Sequence, residues 1–188
     1  MANKLNYYEL LELYPAATQE EIDGAFRMML YKYHPDHNPD RPDWAHERTS
    51  EVVEAYNILS NPLKRKIYNF IIFASLKQSP AERKFGIFQG NDKKKFEEAC
   101  VIFKEGVAAF DNNKNTALLK MQQACAVYKL SEGYYNTGVI YTVTNKLLDA
   151  KKAFEEAVRL EPENQHYKRV VDRLMELMRE IDRARKAQ

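Results

Sequence analysis

The residues best suited to chemistry in this sequence lie in one short stretch, LYKYHPDHNPDRPDW, from Leu30 to Trp44. His34 and Asp36 stand two positions apart and could act as an acid–base pair. His37 adds an H-x-x-H spacing, and with His46 and the neighbouring aspartates it could bind a metal ion. Three prolines fall within eight residues of this stretch, which indicates a stiff loop that could be presented to a partner. The elements around the loop decide between these interpretations.

The enzyme and metal interpretations lack the residues that they need. No nucleophile, phosphate-binding glycine loop or pocket motif accompanies His34 and Asp36, so we expect no enzyme activity. The histidines lie around a proline-locked turn and not on one helical face, so we expect neither a metal nor another cofactor.

Two amphipathic helices flank the loop and must position it. Thr18 and Glu21 form a capping box that opens the first helix. Pro35 ends it at about His34, because a residue that precedes proline is pushed out of the α region. The second helix is predicted from roughly Trp44 to Leu59. The simplest packing is an antiparallel hairpin with the loop protruding from one end.

Shorter helices are predicted on both sides of this hairpin. The first follows Asn6, which can cap the segment YYELLEL. The second is the basic segment LKRKIYNF, from Leu63 to Phe70, which follows the break SNP. The segments NYYELLEL, TQEEIDGAFRMMLYKYHPDHNP and EVVEAYNILSNPLKRKIYN together resemble the J domain of DnaJ-type co-chaperones, over about residues 5–69.

This resemblance implies a partner and a mechanism. J domains dock on the seventy-kilodalton heat-shock chaperone, a DnaK-type protein, and stimulate its ATP hydrolysis. The motif that carries the signal corresponds here to His34, Pro35 and Asp36. Basic residues of the flanking helices would contribute to docking, and here these are Arg27, Lys32, Lys64 and Arg65.

The sequence departs from the family pattern at several positions. On the usually basic helix, Asp23 and Gly24 replace two lysines and Met28 replaces a lysine. Elsewhere, Glu12 replaces a glycine and Thr49 an aromatic residue. Residues 1–69 carry 8 Lys or Arg and 11 Asp or Glu, a net charge of −3. We therefore expect slow, salt-insensitive stimulation of a generic chaperone. The alternative is a J-like adaptor or scaffold protein that has lost chaperone activation and acts only through protein–protein binding.

Residues 70–92, FIIFASLKQSPAERKFGIFQGND, are predicted to be a partly apolar linker between domains at 1–69 and 93–188. Their apolar content exceeds that of a flexible tether, so we expect the linker to pack on one of the domains. The large apolar residues are Phe70, Ile71, Ile72, Phe73, Leu76, Phe85, Ile87 and Phe88.

The segment EGYYNTGVIYTVTNKLLDAKKAFEEAVRLEPEN resembles a tetratricopeptide repeat, and a degenerate copy precedes it by 32 to 33 residues. The residues that should pack its two helices and end the pair are Gly138, Tyr141, Ala150, Phe154, Ala157 and Pro162. A last amphipathic helix would cap the array. The resemblance implies a groove that holds a segment of a client or scaffold protein. Asn136 fits the clamp by which such repeats bind a C-terminal carboxylate, but Phe103 and Val107 occupy the matching first-repeat positions, which disfavours a clamp.

The composition favours an all-α fold, because glycine is sparse and helix formers are plentiful. The two resemblances imply an N-terminal J domain followed by a TPR-like helix-turn-helix array. A net charge of +2 over 188 residues favours neither nucleic acid nor membrane binding. The runs Lys93–Lys95 and Arg183–Lys186 are predicted to be solvated helix ends. Cys100 and Cys125 lie in apolar helical surroundings typical of free thiols in a reducing compartment. The start lacks a signal-peptide pattern and no segment has the roughly 20 apolar residues of a membrane span, so we expect a cytoplasmic protein.

Overall fold

The computed structural model describes residues 6–82 and 90–186, and these are helical with connecting turns. The predicted all-α fold class is confirmed. The helices are α1 (Tyr7–Leu10), α2 (Gln19–Tyr33), α3 (Pro42–Leu59), α4 (Pro62–Ala74), α5 (Gly90–Ala109), α6 (Lys114–Val127), α7 (Ser131–Val143), α8 (Leu147–Leu160) and α9 (Gln165–Lys186).

The chain divides into two compact units, Met1–Asn69 and Phe70–Gln188, with the boundary inside α4. Helix α4 is longer than the predicted basic helix, because the apolar residues after Phe70 continue it to Ala74. The predicted linker residues Phe85, Ile87 and Phe88 lie outside the described residues.

The first unit is built on the hairpin of α2 and α3. Both halves of the predicted capping box form, since the Thr18 hydroxyl accepts from the Glu21 N–H and the Glu21 carboxylate accepts from the Thr18 N–H. Helix α3 begins at Pro42, two residues before the predicted start, and proline suits a first helical turn because no helical partner exists for its missing N–H. The fully buried residues of the hairpin core include Ile22, Val52, Ala55 and Leu59.

The second unit is an array in which α5 pairs with α6, α7 pairs with α8, and α9 packs on α8. Helices α7 and α8 approach closely at Gly138, where an added Cβ would lie 2.7 Å from the Phe154 ring. Ala150 and Ala157 of α8 are fully buried. Pro162 is exposed just after α8 ends.

Helix α9 buries one face, on which apolar residues recur every three or four positions. The buried residues are Tyr167, Val170, Leu174, Leu177 and Ile181. Among the described helices, none combines the length and the apolar character that crossing a bilayer requires.

Candidate functional site

The His34-Pro35-Asp36 tripeptide directly follows the last residue of α2. Tyr33 ends the helix, and His34 leaves the α region with φ −58° and ψ 136°, as expected before proline. Pro35 then starts a short 3-10 turn that ends at His37. The loop thus begins with two backbone positions that proline fixes, which sets the direction of the Asp36 side chain relative to α2.

The carbonyl groups that end α2 accept hydrogen bonds from the loop and from α3. The Asn38 side-chain amide donates to the Lys32 carbonyl at 3.0 Å and to the His34 carbonyl at 2.9 Å. The Thr49 hydroxyl of α3 donates to the Tyr33 carbonyl at 2.9 Å. The last carbonyls of a helix have no intrahelical partner, so these bonds fix the end of α2 and the loop to each other.

The side chains of His34 and Asp36 form a local pair that stays open to solvent. His34 Nδ1 accepts from the Asp36 N–H at 3.2 Å and lies 3.5 Å from the Asp36 carboxylate. Because Nδ1 accepts, the neutral imidazole carries its proton on Nε2. The Asp36 side chain is 84% exposed, which leaves its carboxylate available to a partner.

Aromatic contacts support both ends of the loop. The ring of His37 lies 4.0 Å from that of Tyr31, and His37 Nδ1 is 2.9 Å from the Tyr31 carbonyl. Tyr33 and Trp44 meet edge to face at 5.5 Å, and the Arg41 guanidinium lies over the Trp44 ring at 4.6 Å. These rings hold the start of α3 against the end of α2.

The four basic residues predicted to dock a chaperone have different surroundings. Arg27 on α2 and Lys64 on α4 are exposed. The Lys32 ammonium pairs with Glu12 at 2.8 Å, and the hydrogen bond to Glu12 is the first cause that raises its pKa. Arg65 is half-buried, unlike the other three.

The Arg65 guanidinium holds the first unit together. Its Nε donates to the buried Tyr8 hydroxyl at 2.9 Å, and one terminal nitrogen donates to the carbonyls of Pro15 and Ala17 at 3.1 and 2.6 Å. The Tyr8 hydroxyl in turn donates to Asn69 at 2.7 Å. These bonds join α4 to α1 and to the turn before α2, so the geometry indicates a structural role for Arg65.

The second unit contains a groove between α6, α7 and α8. Tyr141 is half-buried and lines this groove with Gln122. The α7 tyrosine whose ring packs against that of Phe154 is the buried Tyr135, with 5.3 Å between the ring centres. Cys125 also borders the groove as a free thiol, and burial raises its pKa to about 12, which keeps it protonated and unreactive at neutral pH.

Comparison with known proteins identifies the first unit. Residues 6–69 match the family described as DnaJ domain. The chain carries a DnaJ domain at its N-terminal end. The chain resembles "Chaperone protein DnaJ" of Mycoplasmoides gallisepticum, with 49% identity over 69 residues, 37% of this chain and 17% of that protein. "Chaperone protein DnaJ" of Nitratiruptor sp. is 38% identical over 99 residues, 53% of this chain and 24% of that protein.

The matched segments thus cover about a quarter or less of these DnaJ proteins. Among solved structures, "Chaperone HscB from Vibrio cholerae" is 16% identical, with a TM-score of 0.35 over 97% of this chain and 99% of that chain.

The sequence predicted no role in holding the DnaJ loop for either Asn38 or Thr49. Asn38 had a local signal, because asparagine after a helix end often bonds backbone carbonyls. Thr49 had none, since its bond to the Tyr33 carbonyl joins residues 16 apart and depends on how α2 and α3 pack.

Proposed function

We propose that this chain is a co-chaperone that acts without an active site of its own. Its DnaJ domain docks on a DnaK-type chaperone through His34, Pro35 and Asp36 and stimulates ATP hydrolysis by that partner. The observation that carries the proposal is the exposed Asp36 carboxylate on a loop whose flanking carbonyls are bonded by Asn38 and Thr49.

The loop geometry suits recognition of an arginine. A carboxylate can accept two parallel hydrogen bonds from a guanidinium, and such charge-assisted bonds are roughly twice as strong as neutral ones. Because the loop is already fixed by its own bonds, docking loses little conformational entropy. In this proposal Asp36 accepts from the chaperone, His34 Nε2–H donates, and Pro35 sets the angle between them.

The charges of the DnaJ domain support slow docking. Residues 1–69 carry a net charge of −3, and the Lys32 ammonium is paired with Glu12. Long-range attraction to an acidic chaperone surface scales with net charge, so this domain gains little from steering. We therefore expect stimulation that changes little with added salt.

The helical array would select the client or scaffold protein to which the DnaJ domain is brought. Paired helices with small residues at their crossing, as at Gly138, support the resemblance to tetratricopeptide repeats. In such arrays a concave groove binds extended segments of other proteins. We propose that the array holds a client or scaffold protein in this way.

A second candidate function is supported by the Glu12–Lys32 pair. With the Lys32 ammonium paired to Glu12, Arg27 is the exposed cation of α2 that remains for docking, and it is four residues from Asp23 on the same helix. A domain of this kind could keep the DnaJ fold as an adaptor that no longer activates a chaperone.

Single-turnover ATP hydrolysis by the DnaK-type chaperone of the same organism tests the proposal. Wild type should accelerate hydrolysis, and His34→Gln should lose about tenfold or more of the acceleration. His46→Gln changes an exposed histidine on α3 and serves as the matched control, which should behave as wild type. No acceleration by wild type would overturn the co-chaperone proposal and favour the adaptor.

A further inference from the structure

Residues 75–82 lie along α7 and are bound there through their backbone. The side chain of Asn136 makes two hydrogen bonds to one residue, accepting from the Lys77 N–H at 2.8 Å and donating to the Lys77 carbonyl at 2.9 Å. Asn136 is fully buried. This pair of bonds recognises the backbone on both sides of Lys77 and is independent of the side chain that the residue carries.

A second backbone contact follows four residues later. The Ala81 N–H donates to the Glu132 carboxylate at 2.8 Å, and Glu132 is 4% exposed. Glu132 lies one turn before Asn136 on α7. The segment therefore runs along one face of the helix, with its backbone at Lys77 and at Ala81 meeting polar side chains one turn apart on α7.

The lysine side chain is the part of the segment that is recognised specifically. The Lys77 ammonium lies 5.4 Å from the centre of the Tyr135 ring and 6.0 Å from that of Tyr167. These two rings stack at 4.9 Å. Stacked tyrosines that face a cation form a cation–π site, which favours lysine or arginine.

The segment also shows signs of being displaceable. It enters through Ser75, whose φ of 34° lies in the left-handed region that a serine rarely adopts. Gln78, Ser79, Ala81 and Glu82 are exposed. Release would relieve the strain at Ser75, but it would strand the buried polar groups of Glu132 and Asn136, which is costly unless another peptide replaces the segment.

We propose that the face formed by Glu132, Tyr135 and Asn136 of α7 with Tyr167 of α9 is a binding site for an extended, lysine-bearing peptide of another protein, which residues 75–82 occupy in the absence of that peptide. The inference deepens the proposed role of the array in holding a protein segment, and it is independent of chaperone activation. The segment competes for the site at the high effective concentration of a tethered ligand. An incoming protein must match its chemistry: a lysine whose ammonium faces the stacked tyrosines and whose own N–H and C=O bond Asn136, and a further N–H on Glu132.

The experiment uses the full chain and a fluorescein-labelled synthetic peptide with the sequence of residues 75–82, SLKQSPAE, followed by fluorescence anisotropy. Lys77→Glu weakens the chain's own segment, so this variant should bind the peptide at least about tenfold more tightly than wild type. Gln78→Glu introduces the same residue at the exposed neighbour and should bind as weakly as wild type. A peptide with glutamate in place of its lysine should bind none of these proteins, and Lys77→Glu with Asn136→Asp should lose the gain.

Equal peptide binding by Lys77→Glu and wild type would overturn the proposal and make the segment a fixed part of the fold. If Lys77→Glu does not fold, hydrogen exchange on wild type decides the question. The Lys77 and Ala81 amides should exchange through local opening, faster than the core amides of α7. If the Lys77 and Ala81 amides exchange only when the whole protein unfolds, the inference is overturned. Because no chaperone enters these measurements, their failure is distinguishable from failure of ATPase stimulation.

Discussion

The Lys32 ammonium lies 2.8 Å from the carboxylate of Glu12, and Glu12 has a backbone φ of 56°. A left-handed conformation is unfavourable for glutamate, so the chain retains strain at a residue that neutralises a cation of α2. An exposed ion pair contributes little stability. The pair therefore bears more on the charge that α2 presents than on folding.

Glu12→Gly should make the DnaJ domain more stable and better at docking. Relief of the left-handed strain is worth about 1–2 kcal/mol, and the greater freedom of an unfolded glycine offsets about 0.5–1 kcal/mol of it. Urea denaturation should show a net gain of about 1 kcal/mol. Freed Lys32 should speed association with the chaperone at low salt.

Glu12→Gln separates these two effects, because it removes the carboxylate and keeps the side chain at the strained position. It should reproduce the faster association and leave stability close to that of wild type. An unchanged association rate in both variants would mean that the pair does not limit docking.

Asn38→Ala should weaken chaperone stimulation although the His34-Pro35-Asp36 tripeptide remains intact. The change removes both amide bonds that tie the loop to the Lys32 and His34 carbonyls. Two lost bonds should cost about 1–2 kcal/mol of stability. The acceleration of ATP hydrolysis by the chaperone should fall about three- to tenfold. Asp40→Ala, a change at an exposed residue of the same loop, should leave the acceleration unaltered. Equal stimulation by Asn38→Ala and wild type would show that loop rigidity is unimportant.

Arg65→Lys should lower the stability of the DnaJ domain, whereas Lys64→Ala should slow its docking. Lysine cannot reproduce the guanidinium bonds to Tyr8, Pro15 and Ala17, so Arg65→Lys should lose about 1–3 kcal/mol of stability. Lys64 is exposed, and its removal should slow association with the chaperone without changing the unfolding midpoint. A stable Arg65→Lys protein that docks poorly would instead assign Arg65 to the docking surface.

Local and long-range features differed in how far the sequence could predict them. The Thr18–Glu21 capping box and the end of α2 before Pro35 depend on neighbouring residues, and both formed as expected. The Arg65 bonds join residues about 50 positions apart, so composition alone could not distinguish this arginine from the exposed Lys64. The contact between Asn136 and Lys77 likewise depends on packing that no short pattern encodes.

Alanine substitutions at two glycines should change stability in opposite directions. At Gly138 the new Cβ would meet the Phe154 ring at 2.7 Å, and overpacking of this kind costs about 1–3 kcal/mol. At Gly24 in α2 no atom lies within 4 Å of the added Cβ, so alanine should gain about 0.5–1 kcal/mol through helix propensity. Thermal unfolding followed by circular dichroism measures both. A neutral Gly138→Ala would mean that α7 and α8 can separate without penalty.

The half-buried ring of His166 lies against the Tyr135 hydroxyl. The Tyr135 hydroxyl donates to the Ala74 carbonyl, so its oxygen must accept from His166 Nε2–H, at 2.9 Å. Burial, followed by the charges of Lys77 and Arg169, lowers the pKa of His166 below its ordinary value. The folded array therefore favours the neutral imidazole.

A histidine whose pKa is lower in the folded state stabilises the protein fully above its unfolded pKa of about 6.5, and this contribution declines as the pH falls below that value. The unfolded chain binds the proton first, so acid favours unfolding. The free energy of unfolding of wild type should thus fall more steeply between about pH 7.5 and 5.5 than that of His166→Gln, which keeps a donor for Tyr135 but cannot titrate. Parallel pH profiles would show that protonation of His166 is not coupled to folding of the array.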